Sequence, residues 1–503
     1  MVPRGLSLRR PRSLARAFAA GALPADYAIL PPFPRGDCGP RTSDSGVPKP
    51  RTESTTLPSG VRVVSQETYT HMTTLGVVME SGSAHEWAAL KSTGATCLNE
   101  VLAWRATEKR THEQMLKDME RIGAFLHANA NREQTLYAVD ILRESTERGV
   151  ELLAETVFYP KLDDFEVDEA KELLKLSWDD CPQDKKVLDL IHEAAYGKDS
   201  ALGRPLIARG EDLEKLSPQS VLDLRANIMV PERTVIAAAG IRHADLVRHV
   251  EKYFEPFWPA SKKQEVPAYE SVYVGGMAHI AERPMLSGGV PDPKDLVRVA
   301  LGYECGGWHA SELVPVSVLQ SLLGGGDSFS AGGPGKGMYS RLYREVLNGK
   351  YWVESCEAFL SLHHQCGIFG IQGACPPKRV PDLVRTMHRQ LARLASEFVS
   401  DEELARAKNM LKINFLTQLE SRLVLFEDIV RQFSTFGQRQ TLASLTAQID
   451  AVTAHDIRRI GQRMMASKPS LAAHGRDLTG VPSAADVAAW PLEAVPKWFN
   501  GSR

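Results

Sequence analysis

Apolar residues recur at helical spacing in two long stretches that occupy corresponding places in the two halves of the chain. The later one opens SDEELARAKNMLK: Ser400 and Glu403 have capping-box spacing, and Leu404, Ala407, Leu411, Phe415, Leu419 and Leu423 recur every three or four residues. The pattern predicts one helix running on to Phe436, with Gly437 as its stop. The earlier stretch, DDFEVDEAKELLK, carries Ala170, Lys171, Leu174 and Lys175 where the later has Ala407, Lys408, Leu411 and Lys412, an offset of 237 residues. Upstream of each the order also agrees. A strand-like piece (GAFLHANA from Gly123; GIFGIQGA from Gly367) precedes a helical one (STERGVELLAETVF; DLVRTMHRQLARLASEFV), and the acidic-started helix follows. Three elements in one order argue for duplication. The expected fold is α+β: two homologous α/β-sandwich units, residues 55–260 and 295–495, each a sheet covered by helices, facing one another around a cavity. Residues 261–294, with their Pro and Gly, read as the connection.

Composition narrows the classes. At 503 residues and 43% hydrophobic, the chain exceeds one core. Its 60 basic and 62 acidic residues leave a formal charge of −2, so nothing points to nucleic acid. Seven scattered cysteines without a CxxC argue against a disulfide framework or a cysteine zinc site, and fit a reducing compartment. No apolar run approaches the roughly 18 residues of a membrane span. The N-terminus departs from this average: Arg4, Arg9, Arg10, Arg12 and Arg16 precede the first acidic residue, Asp26. Leu14 and Phe18, like Arg12 and Arg16, stand one helical turn apart. Residues 1–30 therefore read as a mitochondrial transit peptide, with a disordered basic tail as the plainer alternative, and residues 31–54 as a linker.

The candidate chemistry centres on GGGDSFSAGGPGKG, residues 324–337. A phosphate-binding loop needs GxxxxGK followed by Ser or Thr, but Lys336 is followed by Gly337 and the first glycine's place holds Ser330. A GxGxxG from Gly333 would end on Met338. Both nucleotide readings fail. The run lies inside the second unit between two helix-like segments, VSVLQSLL and YSRLYREVLN, where a loop this long is more often a lid or binding loop than a spacer. Its candidate binding residues are Gly324, Gly325, Gly326, Asp327, Ser328, Phe329, Ser330, Gly332, Gly333, Gly335, Lys336 and Gly337.

The passage LLGGGDSFSAGGPGKGMYSRLYREVLN, with IGAFLHANANREQTLYAVDILRES, HEAAYGKDSALGRPLI, GIFGIQGACPP and AKNMLKINFLTQLESRLVLFEDIVRQ, resembles noncatalytic members of the pitrilysin-like M16 metallopeptidase family over roughly residues 55–485. Active members bind zinc through HxxEH on a helix, with a distant glutamate as third ligand. Matching LAWRAT to the tail of that motif puts Cys97 and Val101 in place of the histidines and keeps only Glu100, the would-be base. The third ligand falls at Asp168 or Glu169. The resemblance thus implies a chain without zinc or catalysis of its own. Such a chain recognises presequences of imported precursors in the mitochondrial matrix and delivers them to a zinc-bearing partner subunit. It also implies two rivals, a structural core subunit of respiratory complex III and a self-sufficient peptidase, the latter disfavoured by Val101. Three features stay open. Asp327, where the family's loop usually continues with glycine, either meets a presequence arginine or stiffens the loop. The strand LHANANREQT is placed like the family's substrate-side strand, yet Arg132 serves equally as a structural ion-pair partner. His363 and His364, read on an alternating strand, point to opposite faces and do not form a metal pair.

Overall fold

The computed structural model describes residues 51–90, 92–258, 268–282, 296–328 and 337–491. The transit-peptide reading at 1–30, the linker up to residue 50, and the loop residues Phe329, Ser330, Gly332, Gly333, Gly335 and Lys336 lie outside the described residues.

Valine- and alanine-rich segments with period-two alternation build two six-stranded sheets. The first contains β1 (Thr52–Thr56), β2 (Arg62–Gln66), β3 (Met72–Met79), β4 (Phe125–Ala130), β5 (Thr135–Leu142) and β6 (Thr234–Ala239), in the order β1-β2-β6-β3-β5-β4. The second contains β7 (Gly276–Ala281), β8 (Val297–Gly306), β9 (Gly325–Asp327), β10 (Ser355–Leu362), β11 (Cys366–Cys375) and β12 (Ser470–Gly475), in the order β7-β12-β8-β11-β10-β9. In each sheet the pair β2/β6 or β7/β12 is parallel and the other pairs are antiparallel. The repeat is therefore five strands, with β1 and β9 added at opposite ends.

This topology corrects three sequence expectations. GAFLHANA and GIFGIQGA are not counterparts: β4 matches β10, and β11 matches β5, the strand that in each half leads into the next helix. The residues read as linkers contain strands, β1 beginning within 31–54 and β7 within 261–294, because β1 pairs with β2 and β7 adds to β12. The single helix expected from residue 400 to Phe436 is two, Asp401–Gln418 and Arg422–Phe436. Its ends are as expected: the Ser400 side chain accepts from the Glu403 amide, and Gly437 closes in the left-handed conformation.

The break has a packing reason. Leu404 and Ala407 belong to the core of the second sheet, whereas Leu425, Phe426, Ile429, Val430 and Phe433 pack on Val64, Val78, Leu136, Ala138, Val235, Ala237 and Ala239 of the first. The exchange is reciprocal. Helix Gln183–Tyr196, equivalent by the 237-residue offset, puts Val187, Leu190, Ile191, Ala194 and Ala195 on Ala278, Ala300, Phe359, Ile368 and Ala472 of the second sheet. Each sheet is thus covered on one face by a helix from the other half. Small residues permit the close approach: a Cβ on Gly76 of β3 would lie 2.7 Å from the Phe426 ring. Polar ties fasten the ends, with Arg422 bonded to Asp140 at 3.1 Å and Ser434 to Glu80 at 2.8 Å. No helix among the described residues is long and apolar enough to cross a membrane.

Candidate functional site

The motif residues lie on helix Ala95–Val101, which begins after Gly94 in a left-handed conformation. Its N-terminus is capped from outside. The buried Glu86 carboxyl accepts from the amides of Ala95 (3.1 Å) and Thr96 (2.8 Å) and from the Thr96 hydroxyl (2.6 Å), which satisfies donors of the first helical turn, while burial pushes its pKa up. Cys97 is buried and its thiol donates to the Gly94 carbonyl at 3.1 Å. Burial pushes that thiol up to about 12. Val101 packs among apolar neighbours including Leu174. Glu100 is mostly enclosed, and desolvation raises its carboxyl to about 7 although the Ala130 amide of β4 hydrogen-bonds it. Neither candidate for a third ligand turns to this helix as a free carboxylate. Asp168 is exposed beside Lys171, and Glu169 pairs with Arg105, which also holds Glu166 at 2.8 Å.

Arg132 is the structural ion-pair partner that the sequence left open. It is buried, bonded to Asp189 at 2.6 Å and to the Leu202 carbonyl at 2.9 Å. Its neighbours join the halves: Glu133 accepts from the Tyr269 hydroxyl and from the His364 amide (2.7 Å), and Gln134 donates to Ser434 at 3.3 Å. His363 and His364 stand in the turn between β10 and β11, not on a strand. They still diverge, His363 inward to the rings of His192 and Tyr196 and His364 to His309. Desolvation, reinforced by Arg132, lowers His363 to about 3.

Between the halves these groups wall a cavity of about 890 Å³, together with Trp308, Gln320, Leu360, Leu362, Phe415, Phe436 and Ile449. A cavity between facing halves is expected from the duplication; the residues that line it are not marked in the sequence, because they come from both halves.

The foot of the glycine-rich loop closes on the edge of the second sheet. Helix Leu313–Leu323 runs into Gly324 (φ 55°), and Gly325 (φ 108°), Gly326 (φ 152°) and Asp327 form β9 on the edge of β10. A Cβ on Gly325 would come within 2.0 Å of the Cys356 carbonyl oxygen, so glycine is required there on both conformational and steric grounds. The Ser328 amide donates to the Glu354 carbonyl at 2.8 Å, and Ser340 bridges the two ends, its hydroxyl accepting from the Gly325 amide at 3.1 Å and its amide bonding the Gly337 carbonyl at 2.9 Å. Beyond Ser340, the buried Arg341 forms a bidentate pair with Glu403 at 2.9 and 2.7 Å. Asp327 and Ser328 are exposed.

Residues 62–210 match the family model for Insulinase (Peptidase family M16), and residues 215–411 that for the Peptidase M16 inactive domain. The chain belongs to the M16 peptidase family. Within M16 it is similar to the mitochondrial-processing peptidase subunit alpha of Bos taurus, 31% identical over 490 residues, 93% of this chain and 90% of the bovine one. The subunit alpha of Solanum tuberosum is 33% identical over 463 residues, covering 91% and 86% of the two chains. A probable subunit alpha-1 of Arabidopsis thaliana is 34% identical over 432 residues, covering 85% and 82%.

Against the zinc chemistry of active M16 members, the residues on helix Ala95–Val101 do not fit the metal. Val101 offers hydrocarbon, the Cys97 thiol is held protonated against a carbonyl, and Glu169 is neutralised by Arg105. Glu100 stands where the resemblance places the base of active M16 members. Sequence reasoning found this helix and missed what orients it, the Glu86 cap and the chain Arg225–Asn99–Tyr137, with bonds of 2.6 and 2.5 Å. Glu86 lies nine positions before Ala95, outside any motif spacing.

Proposed function

We propose that this chain is the noncatalytic alpha subunit of a mitochondrial processing peptidase. In the matrix it binds presequences of imported precursors through its glycine-rich loop and presents them to the zinc-bearing beta subunit. The observation that carries the reading is the pairing, in one chain similar to alpha subunits along nearly its whole length, of a motif helix without ligands and a glycine-rich loop whose foot is anchored on the sheet edge. A loop anchored at both ends by Ser340, and glycine-rich between, can adapt to basic amphipathic segments of varied sequence, which one rigid pocket cannot. Catalysis then belongs to the partner.

Presequence cleavage is measured with the chain alone, with a coexpressed beta-type subunit, and with residues 324–337 deleted from the complex. The expected outcomes are no cleavage, cleavage, and cleavage with a raised KM. Full activity after the deletion removes the loop's role, and cleavage by the isolated chain overturns the noncatalytic reading. Copurification with cytochrome subunits alone, with no support of cleavage, places the chain in respiratory complex III instead.

A further inference from the structure

The second sheet ends on an incomplete strand. β9 pairs only with Ser355, Cys356 and Glu357 of β10, and the Ala358 amide closes that pairing on the Gly324 carbonyl at 2.8 Å. From Phe359 to Leu362, β10 has no strand on its outer side among the described residues. Alternation decides which groups this leaves at the edge. The Ala358 amide and carbonyl both point outward, the carbonyl accepting from Gln320 Nε2 at 3.4 Å, whereas the His363 amide points inward to the Cys366 carbonyl at 2.8 Å. Leu360 and Leu362 share the parity of Ala358, so their backbone N–H and C=O groups turn away from β11.

Both leucines line the cavity between the halves, where Leu411, Phe415, Leu445 and Ile449 supply apolar wall. A strand edge with open backbone groups, faced by apolar side chains in a cavity of about 890 Å³, has the chemistry of an extended peptide. The backbone of such a peptide completes the ladder, and its alternate side chains enter the apolar space. A small apolar molecule would leave the edge groups unmatched, and the guanidinium of Arg132 is already committed to Asp189. The duplication gives the site a counterpart. β4, the strand equivalent to β10, is outermost in its sheet, as β10 is beyond β9, and its Ala130 amide bonds the Glu100 carboxyl.

We propose that the outer edge of β10 from Leu360 to Leu362 receives a stretch of the presequence as an added strand, in line with β9. β9 and this edge then form one continuous track, since β9 already occupies the adjoining half of the same strand. The proposal rests on the presequence-binding reading above, and commits it to an extended backbone in the cavity rather than contact with the loop alone.

The test uses the heterodimer with its zinc-bearing partner and a synthetic, arginine-containing amphipathic presequence peptide. Leu360→Pro removes one outward amide at a position where an edge strand tolerates proline. Ser317→Phe fills the cavity from helix Leu313–Leu323 without touching the strand. Each is expected to raise KM about five- to tenfold with kcat unchanged, as loss of one net hydrogen bond or its equivalent in contact predicts. Melting temperature verifies folding. If Leu360→Pro does not fold, Ser317→Phe decides alone, and an unchanged KM in folded Ser317→Phe overturns the proposal. Failure of the wild-type heterodimer to cleave any presequence overturns the underlying processing function instead, so the two failures are distinguishable.

Discussion

Truncating Phe426 to alanine should destabilise a sheet whose strands all precede it by 187 positions or more. Phe426 is fully buried, and its ring rests on the bare backbone of Gly76 in β3, flanked by Ala138 and Ala237. Alanine and glycine have no side chains that could swing into the vacated space, so little of the cavity closes. The loss is expected near the upper part of the usual Phe→Ala range, about 4–5 kcal/mol. The whole exchanged helix contributes five buried apolar side chains at about 1.5–3 kcal/mol each, on the order of 10 kcal/mol, comparable with the entire stability of a domain. Urea titration followed by tryptophan fluorescence reads the change, and hydrogen exchange locates it. Protection should fall in β3 and β6 as well as in the helix. The exposed Leu442→Ala serves as the control, with an effect expected within about 0.5 kcal/mol. A loss below about 1 kcal/mol, or lost protection confined to residues 422–436, would refute the claim that the exchanged helix supports the first sheet.

Three further outcomes follow from local geometry. Glu100 has a folded pKa raised by burial to about 7, above the ordinary 4.5 of its carboxyl. It is neutral in both states well below pH 4.5; its penalty on folding builds between about pH 4.5 and 7, where the unfolded state ionises and the folded one does not, and levels off above 7. Glu100→Gln should therefore raise the melting temperature at pH 8, by an effect of about 3 kcal/mol, and leave it nearly unchanged at pH 4.5. Its presequence cleavage in the complex should stay at wild-type level, and a loss of kcat would contradict the noncatalytic role. Glu403→Ala leaves the buried Arg341 without its carboxylate and should cost about 3–5 kcal/mol in urea titration. Gly325→Ala forces a side chain into a positive φ and against the Cys356 carbonyl, worth more than about 1–2 kcal/mol locally. It should raise KM for presequence in the complex without changing kcat; equal KM would mean that the loop's foot does not matter.

Much of this was legible in the sequence, and the reasons for the remainder are physical. Helical periodicity located the long helices and their caps at Ser400 and Gly437, because both depend on local spacing. It could not show the break before Arg422, since the apolar stripe continues unbroken while its two parts serve different cores. The strand equivalence slipped by one because β4 and β11 both show alternation, and only pairing separates an edge strand from a central one. A usable sign was present in TVIAAA (β6) and SLAAHG (β12), where alanine replaces the larger residues usual in strands and marks a sheet face against which a helix lies close. The ligand loss at Cys97 and Val101 was legible from motif alignment. The commitment of Arg132 to Asp189 and of Glu169 to Arg105 was not, because their partners lie 57 and 64 positions away.

The helix exchange also sets an order of events as the chain leaves the ribosome. Phe426 follows Ala239, the last residue of the first sheet, by 187 positions, a delay on the order of ten to forty seconds at ordinary elongation rates. Through that interval one face of the first sheet has no cover, and the same holds for any vectorial passage that admits the N-terminus first. A nascent chain stalled before residue 422 is therefore expected to stay bound to a holding chaperone, and the completed chain to be released from it.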